Sequence, residues 1–168
     1  LWIGTEGDGL YLCDTREKRL IGRALENKLI KDIALDSSGQ VLISTDGEGL
    51  FLSRDRGRDF QNFRSSEGLL NSLNTNALYD IFVDSDNNVW VGSFNGGVNV
   101  LKANKVNFLT YLQSTSPTSG PGNQSALAFC EDSEGNIWIG KDGGGLIRFN
   151  PEDQSKTTYL ASPRDPNS

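Results

Sequence analysis

The chain has 168 residues, of which 36% are hydrophobic and 23% are charged, a composition typical of a soluble globular protein with a core of its own. The formal net charge is −6, and no stretch gathers enough Lys or Arg to follow a phosphate backbone, which argues against nucleic acid or an anionic membrane as a partner. No apolar run approaches the roughly 20 residues that span a bilayer, and the first residues do not resemble a signal peptide.

One ten-residue pattern, typified by Trp-Ile-Gly and closed by Gly-x-Gly-Leu, Gly-Gly-Val or Gly-Gly-Leu, recurs four times. The copies begin at residues 1, 41, 89 and 137, so their spacings are 40, 48 and 48 residues. This spacing matches the blade of a β-propeller. The 19 glycines are spread at regular intervals along the chain, which indicates many tight turns between short strands.

We therefore predict an all-β fold, a β-propeller fragment of about three and a half four-stranded antiparallel blades. The predicted units are a partial blade at 1–25, full blades at 26–63, 76–112 and 125–160, and the start of a further connection at 161–168. Since the chain opens inside a repeat and lacks an initiating Met, we expect a piece of a longer protein, with about seven blades in the parent domain.

Within each full blade, a turn that begins with Asp joins the first two strands. These residues are Asp36, Asp84 and Asp132. Asp can hydrogen-bond the backbone of its own turn, and a residue that recurs once per blade is expected to be structural, not catalytic.

Residues 53–60 resemble the Asp-box of sialidase-like and glycosidase propellers, and the motif occurs once. In those families the Asp-box is a folding element that lies away from the active site. A sialidase would also need an arginine triad and a tyrosine nucleophile, which are not recognisable in this sequence.

Catalytic, metal and cofactor sites are not expected. The sequence has no histidine, and the acidic turn at 84–88 fails the calcium-loop pattern because Val89 and Asn95 occupy the positions that need Gly and Glu. The glycine run 143–145 lacks the Gly-Lys-Ser/Thr end of a phosphate-binding loop. Cys13 and Cys130 are expected to be unpaired packing residues.

The repeat strongly resembles the two-component regulator propeller repeat over nearly the whole chain. The matching residues are Ile81, Asp84, Asn88, Trp90, Gly92, Gly96 and Gly97, and then Asp132, Gly135, Asn136, Trp138, Gly140, Gly144, Gly145 and Leu146. The second copy departs from the pattern, with Leu42 and Ser44 in place of Trp and Gly.

The resemblance implies a segment of the periplasmic sensor of a membrane-bound hybrid histidine kinase. Such sensors are found especially in gut Bacteroidetes and are associated with glycan fragments. The parent protein would then also carry a transmembrane helix, a kinase core and a DNA-binding output domain.

A ligand is expected at the turns between the second and third strands of each blade, because loops on a rigid scaffold can vary without disturbing the packing. This face also includes the connections 64–76 and 112–125. The candidate ligand-binding residues are those that differ between copies: Glu6, Asp8, Asp46, Glu48, Phe94, Asn95, Lys141 and Asp142. Carboxylates, amides and one aromatic ring suit a sugar.

The primary hypothesis is a non-catalytic ligand-sensing propeller that recognises an oligosaccharide. The first alternative is a structural or protein-interaction scaffold, and the second is a glycosidase- or lyase-type propeller. An unclosed propeller exposes apolar faces and strand edges, so self-association is expected through open blade edges or within a dimeric receptor.

Overall fold

The computed structural model describes residues 1–67, 69, 71–103, 105, 108–111 and 125–161, and within them the regular secondary structure is entirely β-strand. The strands form four antiparallel sheets, named blades 1 to 4 in chain order. Blade 1 contains β1 (Trp2–Gly4), β2 (Leu10–Asp14) and β3 (Arg19–Ala24). Blade 2 contains β4 (Ile30–Leu35), β5 (Val41–Thr45), β6 (Gly49–Ser53) and β7 (Gln61–Phe63). Blade 3 contains β8 (Leu78–Val83), β9 (Val89–Ser93), β10 (Gly97–Leu101) and β11 (Phe108–Tyr111). Blade 4 contains β12 (Ala126–Glu131), β13 (Ile137–Lys141), β14 (Gly145–Phe149) and β15 (Lys156–Tyr159).

In every blade, strands that are adjacent in the sequence are adjacent in the sheet. The first strands of successive blades contact one another, β4 with β8 and β8 with β12, and β1 contacts β4. The blades therefore lie side by side in chain order, the first strands of blades 2 to 4 are innermost, and β1 occupies the second position of the repeat; the described blades do not close into a ring. This confirms the predicted all-β propeller fragment. The sequence predicted about half a blade, or two strands, at the start of the chain. Blade 1 has three strands in the described residues, since β3 also pairs with β2.

The recurring Asp turn is held by a hydrogen-bond network that ends on the signature tryptophan. Asp84 accepts the Asn88 amide at 2.7 Å and the Trp90 Nε1–H group at 2.7 Å, and all three residues are buried. Asp132 accepts the equivalent Nε1–H group of Trp138 at 2.9 Å. Burial alone would raise the pKa of Asp132, but hydrogen bonds, above all that from Trp138, outweigh it and lower this pKa well below its usual range. The predicted turn role of these aspartates is confirmed.

Blade 2 shows what the departure from the pattern changes. Asp36 still accepts the amides of Ser38 and Gln40, at 2.9 and 2.8 Å. Leu42 stands where the other blades have tryptophan, so this network ends at the turn and does not reach into the core. Leu42 is itself buried in the cluster that joins blades 2 and 3.

In blades 1 and 3 the tryptophan packs against the next blade, Trp2 beside Gly57 and Trp90 against blade 4. Trp90 is 1% exposed and lies edge-on to Phe149 of blade 4, with ring centroids 5.8 Å apart. Tyr111 stacks on the same indole at 6.4 Å. These rings belong to the apolar cluster between blades 3 and 4, and a second cluster joins blades 1 and 2.

The β6–β7 hairpin contains the sequence that resembles an Asp-box, and it has the predicted structural role. Asp55 accepts the backbone amides of Arg58 and Asp59, both at 3.0 Å. Gly57 has φ +84°, and a Cβ atom there would lie 2.2 Å from the indole of Trp2. The hairpin thus packs closely against blade 1, with Gly57 on the indole of Trp2.

The outer face of blade 4 contacts no other sheet in the described residues. Trp138 stacks on Tyr159 of its own blade at 5.5 Å, and Leu146 is 40% exposed. Cys130 pairs across the strands with Trp138 and is also exposed, so it is not the packing residue that the sequence predicted. The reason is that no neighbouring blade covers this face. Cys13 is partly buried, and both cysteines are free thiols.

The Asp network predicts different costs for the same substitution in two blades. Asp84→Ala leaves the Trp90 indole N–H and the Asn88 donors buried without an acceptor, so we expect it to lower the free energy of unfolding by about 3–4 kcal/mol. Asp36→Ala is the matched control, with an expected loss of about 1–2 kcal/mol because its turn lies nearer the solvent. Urea denaturation measures both, and equal losses would contradict this account of the tryptophan.

Candidate functional site

The turns β1–β2, β5–β6, β9–β10 and β13–β14 lie at the same end of their blades, which we call the loop face. In three of these turns a hydroxyl group before the turn donates to the carbonyl of the closing glycine. The donor and acceptor pairs are Thr5 and Gly9 at 2.7 Å, Thr45 and Gly49 at 2.7 Å, and Ser93 and Gly97 at 3.0 Å. In blade 4 the equivalent position is Lys141, which has no hydroxyl group.

A second bond ties each turn to the segment that leads into the innermost strand of its own blade. The amide that follows the hydroxyl position donates to a backbone carbonyl there. The pairs are Asp46 and Leu29 at 3.0 Å, Phe94 and Ala77 at 2.9 Å, and Asp142 and Ser125 at 3.1 Å. The side chains at these three positions are therefore presented on a fixed backbone.

Two of the predicted carboxylates meet at one cation. Lys31 of β4 lies 3.7 Å from Glu6 of blade 1 and 3.9 Å from Asp46 of blade 2, measured from Nζ to the nearest carboxylate oxygen. The lysine side chain is 25% exposed and that of Glu6 is 82% exposed. The group therefore links two blades at the loop face and remains open to solvent.

Two further predicted carboxylates, Asp8 and Glu48, each face different cations. Asp8 lies 4.0 Å from Arg23, and Glu48 lies 3.6 Å from Lys28. The hydrogen bond from Arg64 and then the charge of Lys28 lower the pKa of Glu48. These pairs balance the acidic turns of blades 1 and 2 with nearby basic groups.

Blade 3 presents aromatic groups at the equivalent place. Phe94 is 48% exposed, and its ring lies edge-on to that of Tyr79 on β8, with centroids 6.2 Å apart. The backbone amide of Asn95 donates to Ser125 Oγ at 3.0 Å, so the predicted Asn95 helps to join this turn to blade 4. The loop face is thus apolar over blade 3 and ionic over blade 2.

The two predicted residues of blade 4 lie at the start of its turn. Asp142 is exposed, whereas Lys141 is partly buried. Burial, and then the charge of Lys156, lower the pKa of Lys141. The predicted connection 112–125 lies outside the described residues except for Ser125.

Sequence reasoning missed the residues that bring these side chains together. Lys31 joins Glu6 to Asp46, and Tyr79 contacts Phe94, although neither residue belongs to a turn. The sequence did contain a sign of their role, because Lys31 and Tyr79 lie 48 residues apart at the same position of the repeat and differ in type.

A pair of carboxyl groups on the innermost strands was also missed. Asp32 accepts the backbone amide of Ile81 in the next blade at 2.9 Å, and Asp80 accepts that of Phe129 at 3.0 Å. In blade 4 the equivalent residue is Ala128. Each bond ties the innermost strand of one blade to that of the next.

The Asp32 carboxyl group opposes ionisation of Asp80. Burial, and then the charge and hydrogen bond of Asp32, raise the pKa of Asp80 from its ordinary value of 3.8 to about 6. The folded protein therefore holds the Asp80 proton to a higher pH than the unfolded chain does.

The described residues contain no group of three or more His, Cys, Asp or Glu side chains arranged to hold a metal ion. No helix among them has the length and apolar character that a membrane span requires.

The family model of the two component regulator propeller matches residues 72–95 and 119–140. These segments lie in the repeats of blades 3 and 4, and the resemblance predicted from the sequence is confirmed. No curated protein matches the chain.

Several solved structures share the fold. Virginiamycin B lyase from Staphylococcus aureus superposes with a TM-score of 0.73 at 12% identity, over 97% of this chain and 52% of the lyase. A protein of unknown function from Bacteroides thetaiotaomicron gives 0.63 at 20% identity, over 94% and 44%. The extracellular domain of a hybrid two component system from the same organism gives 0.49 at 20% identity, over 94% and 27%. The chain thus spans between about a quarter and a half of the length of these proteins.

The carboxyl pair predicts a specific dependence of stability on pH. Asp80 loses its proton near pH 3.8 in the unfolded chain and near pH 6 in the folded one, so the folded state binds more protons in between. Its contribution to stability is therefore present below about pH 4 and is lost as the pH rises to about 6. Asp80→Asn keeps an acceptor for Phe129 and can donate to Asp32. We expect it to remove this decline and to stabilise the protein at pH 7 by roughly 1–2 kcal/mol, allowing for solvent screening.

Urea denaturation at several pH values between 4 and 7 measures the effect. The control is Asp86→Asn, because Asp86 is exposed in a turn at the other end of the blade and its removal should leave the slope as it is. A variant at position 80 with an unchanged slope would show that the two carboxyl groups are not coupled.

Proposed function

We propose that this chain is a non-catalytic ligand-sensing segment of a periplasmic receptor of the hybrid two-component type, and that its loop face binds an oligosaccharide. The observation that carries the proposal is the contrast between neighbouring blades at that face. The exposed ring of Phe94 with Tyr79 lies on blade 3, and the ionic group around Lys31 lies on blade 2.

A sugar needs both kinds of surface. The apolar face of a pyranose ring packs on an exposed aromatic ring, and its hydroxyl groups bond to carboxylates and ammonium groups. Because the carboxylates of Glu6 and Asp46 already face a lysine, they can accept hydrogen bonds from hydroxyl groups without a large uncompensated charge. This favours a polar ligand rich in hydroxyl groups.

The family membership of the repeats supports a role in signalling. A two-component regulator converts a sensed signal into a response, and a ligand that binds one receptor conformation better than another shifts the balance between them. We propose that binding at the loop face biases the receptor in this way and that the response is transmitted across the membrane.

Two features favour binding over catalysis. The sequence has no histidine, the commonest general base, and the recurring aspartates are occupied in turns. The lyase that shares this fold is 12% identical, and this likeness concerns the fold alone. Turnover of an oligosaccharide or of a streptogramin by the protein would contradict this part of the proposal.

A second candidate role is a protein-interaction scaffold, and the uncovered apolar faces favour it. Leu20 and Ile3 of blade 1 are 52% and 41% exposed, and Leu146 and Tyr159 of blade 4 are 40% and 47% exposed. Where a blade has a neighbour on that side, the neighbouring blade covers the equivalent face. We propose that a second copy of the chain covers them.

Binding is tested by isothermal titration with a panel of oligosaccharides. Phe94→Ala should weaken the binding of the best ligand about tenfold. The reason is that Phe94 is 48% exposed and supplies the aromatic surface that a sugar ring would contact. Leu109→Ala is the matched control, since Leu109 is 43% exposed on the outermost strand of the same blade and should leave affinity unchanged. No binding to any oligosaccharide would contradict the proposed ligand.

Self-association is tested by size-exclusion chromatography with light scattering. We expect a mass at least twice the 18.3 kDa of one chain, and a shift towards the monomer in Leu146→Glu, which places a charge in the uncovered face of blade 4. A monomer at all concentrations would exclude the second copy as the partner.

A further inference from the structure

The innermost strand of each full blade contains a β-bulge at the same position of the repeat. The register against the second strand shifts between Ile30 and Asp32 in β4, between Leu78 and Ile81 in β8, and between Ala126 and Ala128 in β12. The extra residues are Lys31, Tyr79 and Leu127, spaced by 48 residues. Such a residue is left out of the regular ladder.

In blades 2 and 3 the bulge residue lies beside one particular residue of the turn in its own blade. Lys31 contacts Asp46 at 3.9 Å, and Tyr79 contacts Phe94 at 6.2 Å between ring centroids. Asp46 and Phe94 are the same repeat position, and both are held by the backbone bonds described above. Bulge and turn residue therefore form a pair in both blades, and Leu127 and Asp142 hold the same two positions in blade 4.

The chemistry of this pair changes from blade to blade while its framework does not. Blade 2 has a cation with a carboxylate, blade 3 has two aromatic rings, and blade 4 has Leu127 with Asp142 at the same positions. In contrast, the residue before the bulge is apolar and buried in every full blade, as Ile30, Leu78 and Ala126. A bulge position that changes from cation to aromatic ring to Leu beside a constant apolar neighbour is not chosen by the packing.

These side chains are available to a ligand. The residue Lys31 is exposed, Tyr79 is partly buried and Leu127 is 43% exposed, although all three lie on the strands closest to the propeller axis. Residues at the mouth of a propeller axis converge from several blades on one small area. A ligand that covers this area would touch the pairs of adjacent blades at once.

From this geometry we propose that the bulge and turn pairs, Lys31 with Asp46 and Tyr79 with Phe94, determine which oligosaccharide the loop face accepts. The inference rests on the proposed function and adds Lys31 and Tyr79 as specificity-determining residues. The aromatic pair binds the apolar face of one sugar unit, and the ionic pair binds the hydroxyl groups of the next. The proposed ligand is therefore an oligosaccharide of at least two units with one exposed apolar ring face.

The test exchanges the pairs between blades. The double variant Lys31→Tyr with Asp46→Phe gives blade 2 the pair of blade 3, and Tyr79→Lys with Phe94→Asp does the reverse. The control is Glu17→Phe with Arg19→Tyr, which replaces an exposed ion pair by two aromatic residues at the opposite end of blade 1. The unmodified protein, the two exchanged proteins and the control are each titrated with cellohexaose, xylohexaose, mannohexaose, hexagalacturonate and a chitosan hexamer. Their melting temperatures are also compared.

We expect the ratio of affinities for the two best ligands to change about tenfold or more in each exchanged protein, and to stay constant in the control. Unaltered ratios in both exchanged proteins, with binding retained, would overturn the inference and leave the proposed function standing. An equal change in the control would also overturn it. If the unmodified protein binds no member of the panel, the proposed function fails first and the inference fails with it.

Discussion

The structure depends on how one blade is joined to the next at the innermost strands. The bulge interrupts the regular ladder there, and the amide of Ile81 or Phe129 donates to the aspartate of the preceding blade. The innermost strand is the edge strand of its sheet, and a backbone amide without an acceptor would be costly there, so the aspartate supplies one. The bulge also leaves Lys31 or Tyr79 out of the regular ladder. The same short segment thus carries both the bond between blades and the variable position at the loop face.

The bond between blades brings the carboxyl groups of Asp32 and Asp80 close together, which opposes the ionised form of Asp80. The repeat therefore cannot add such an aspartate to every blade without accumulating like charge near the axis. Blade 4 has Ala128 at this position, so the aspartate is present in blades 2 and 3 but not in blade 4. The exposed ends of the blades are joined differently, with Ser37 donating to Asn87 and Ser85 donating to Glu131.

The parts of the fold that could be predicted from the sequence are those that depend on residues close together in the chain. Asp84, Asn88 and Trp90 lie within seven residues, so their network and the hairpin around it follow from one copy of the repeat. The blade order follows from the spacing of the copies. The bulges could not be predicted, because Lys31 and Tyr79 look like ordinary members of a strand until their register with β5 and β9 is known. The bond from Ile81 to Asp32 joins residues 49 positions apart in different blades.

The candidate site shows the same division between local and long-range effects. The turn residues Asp46 and Phe94 were predicted because they differ between copies, whereas their partners on the innermost strands were not. The backbone bonds of these turns are made by main-chain atoms and by hydroxyl groups, so the intervening side chains can change without altering the turn. Lys141 is informative here, because it replaces the hydroxyl of the other blades while the amide of Asp142 keeps its bond to Ser125. In blade 4 the turn thus keeps its backbone bond without the hydroxyl bond, so the residue type at the hydroxyl position can change.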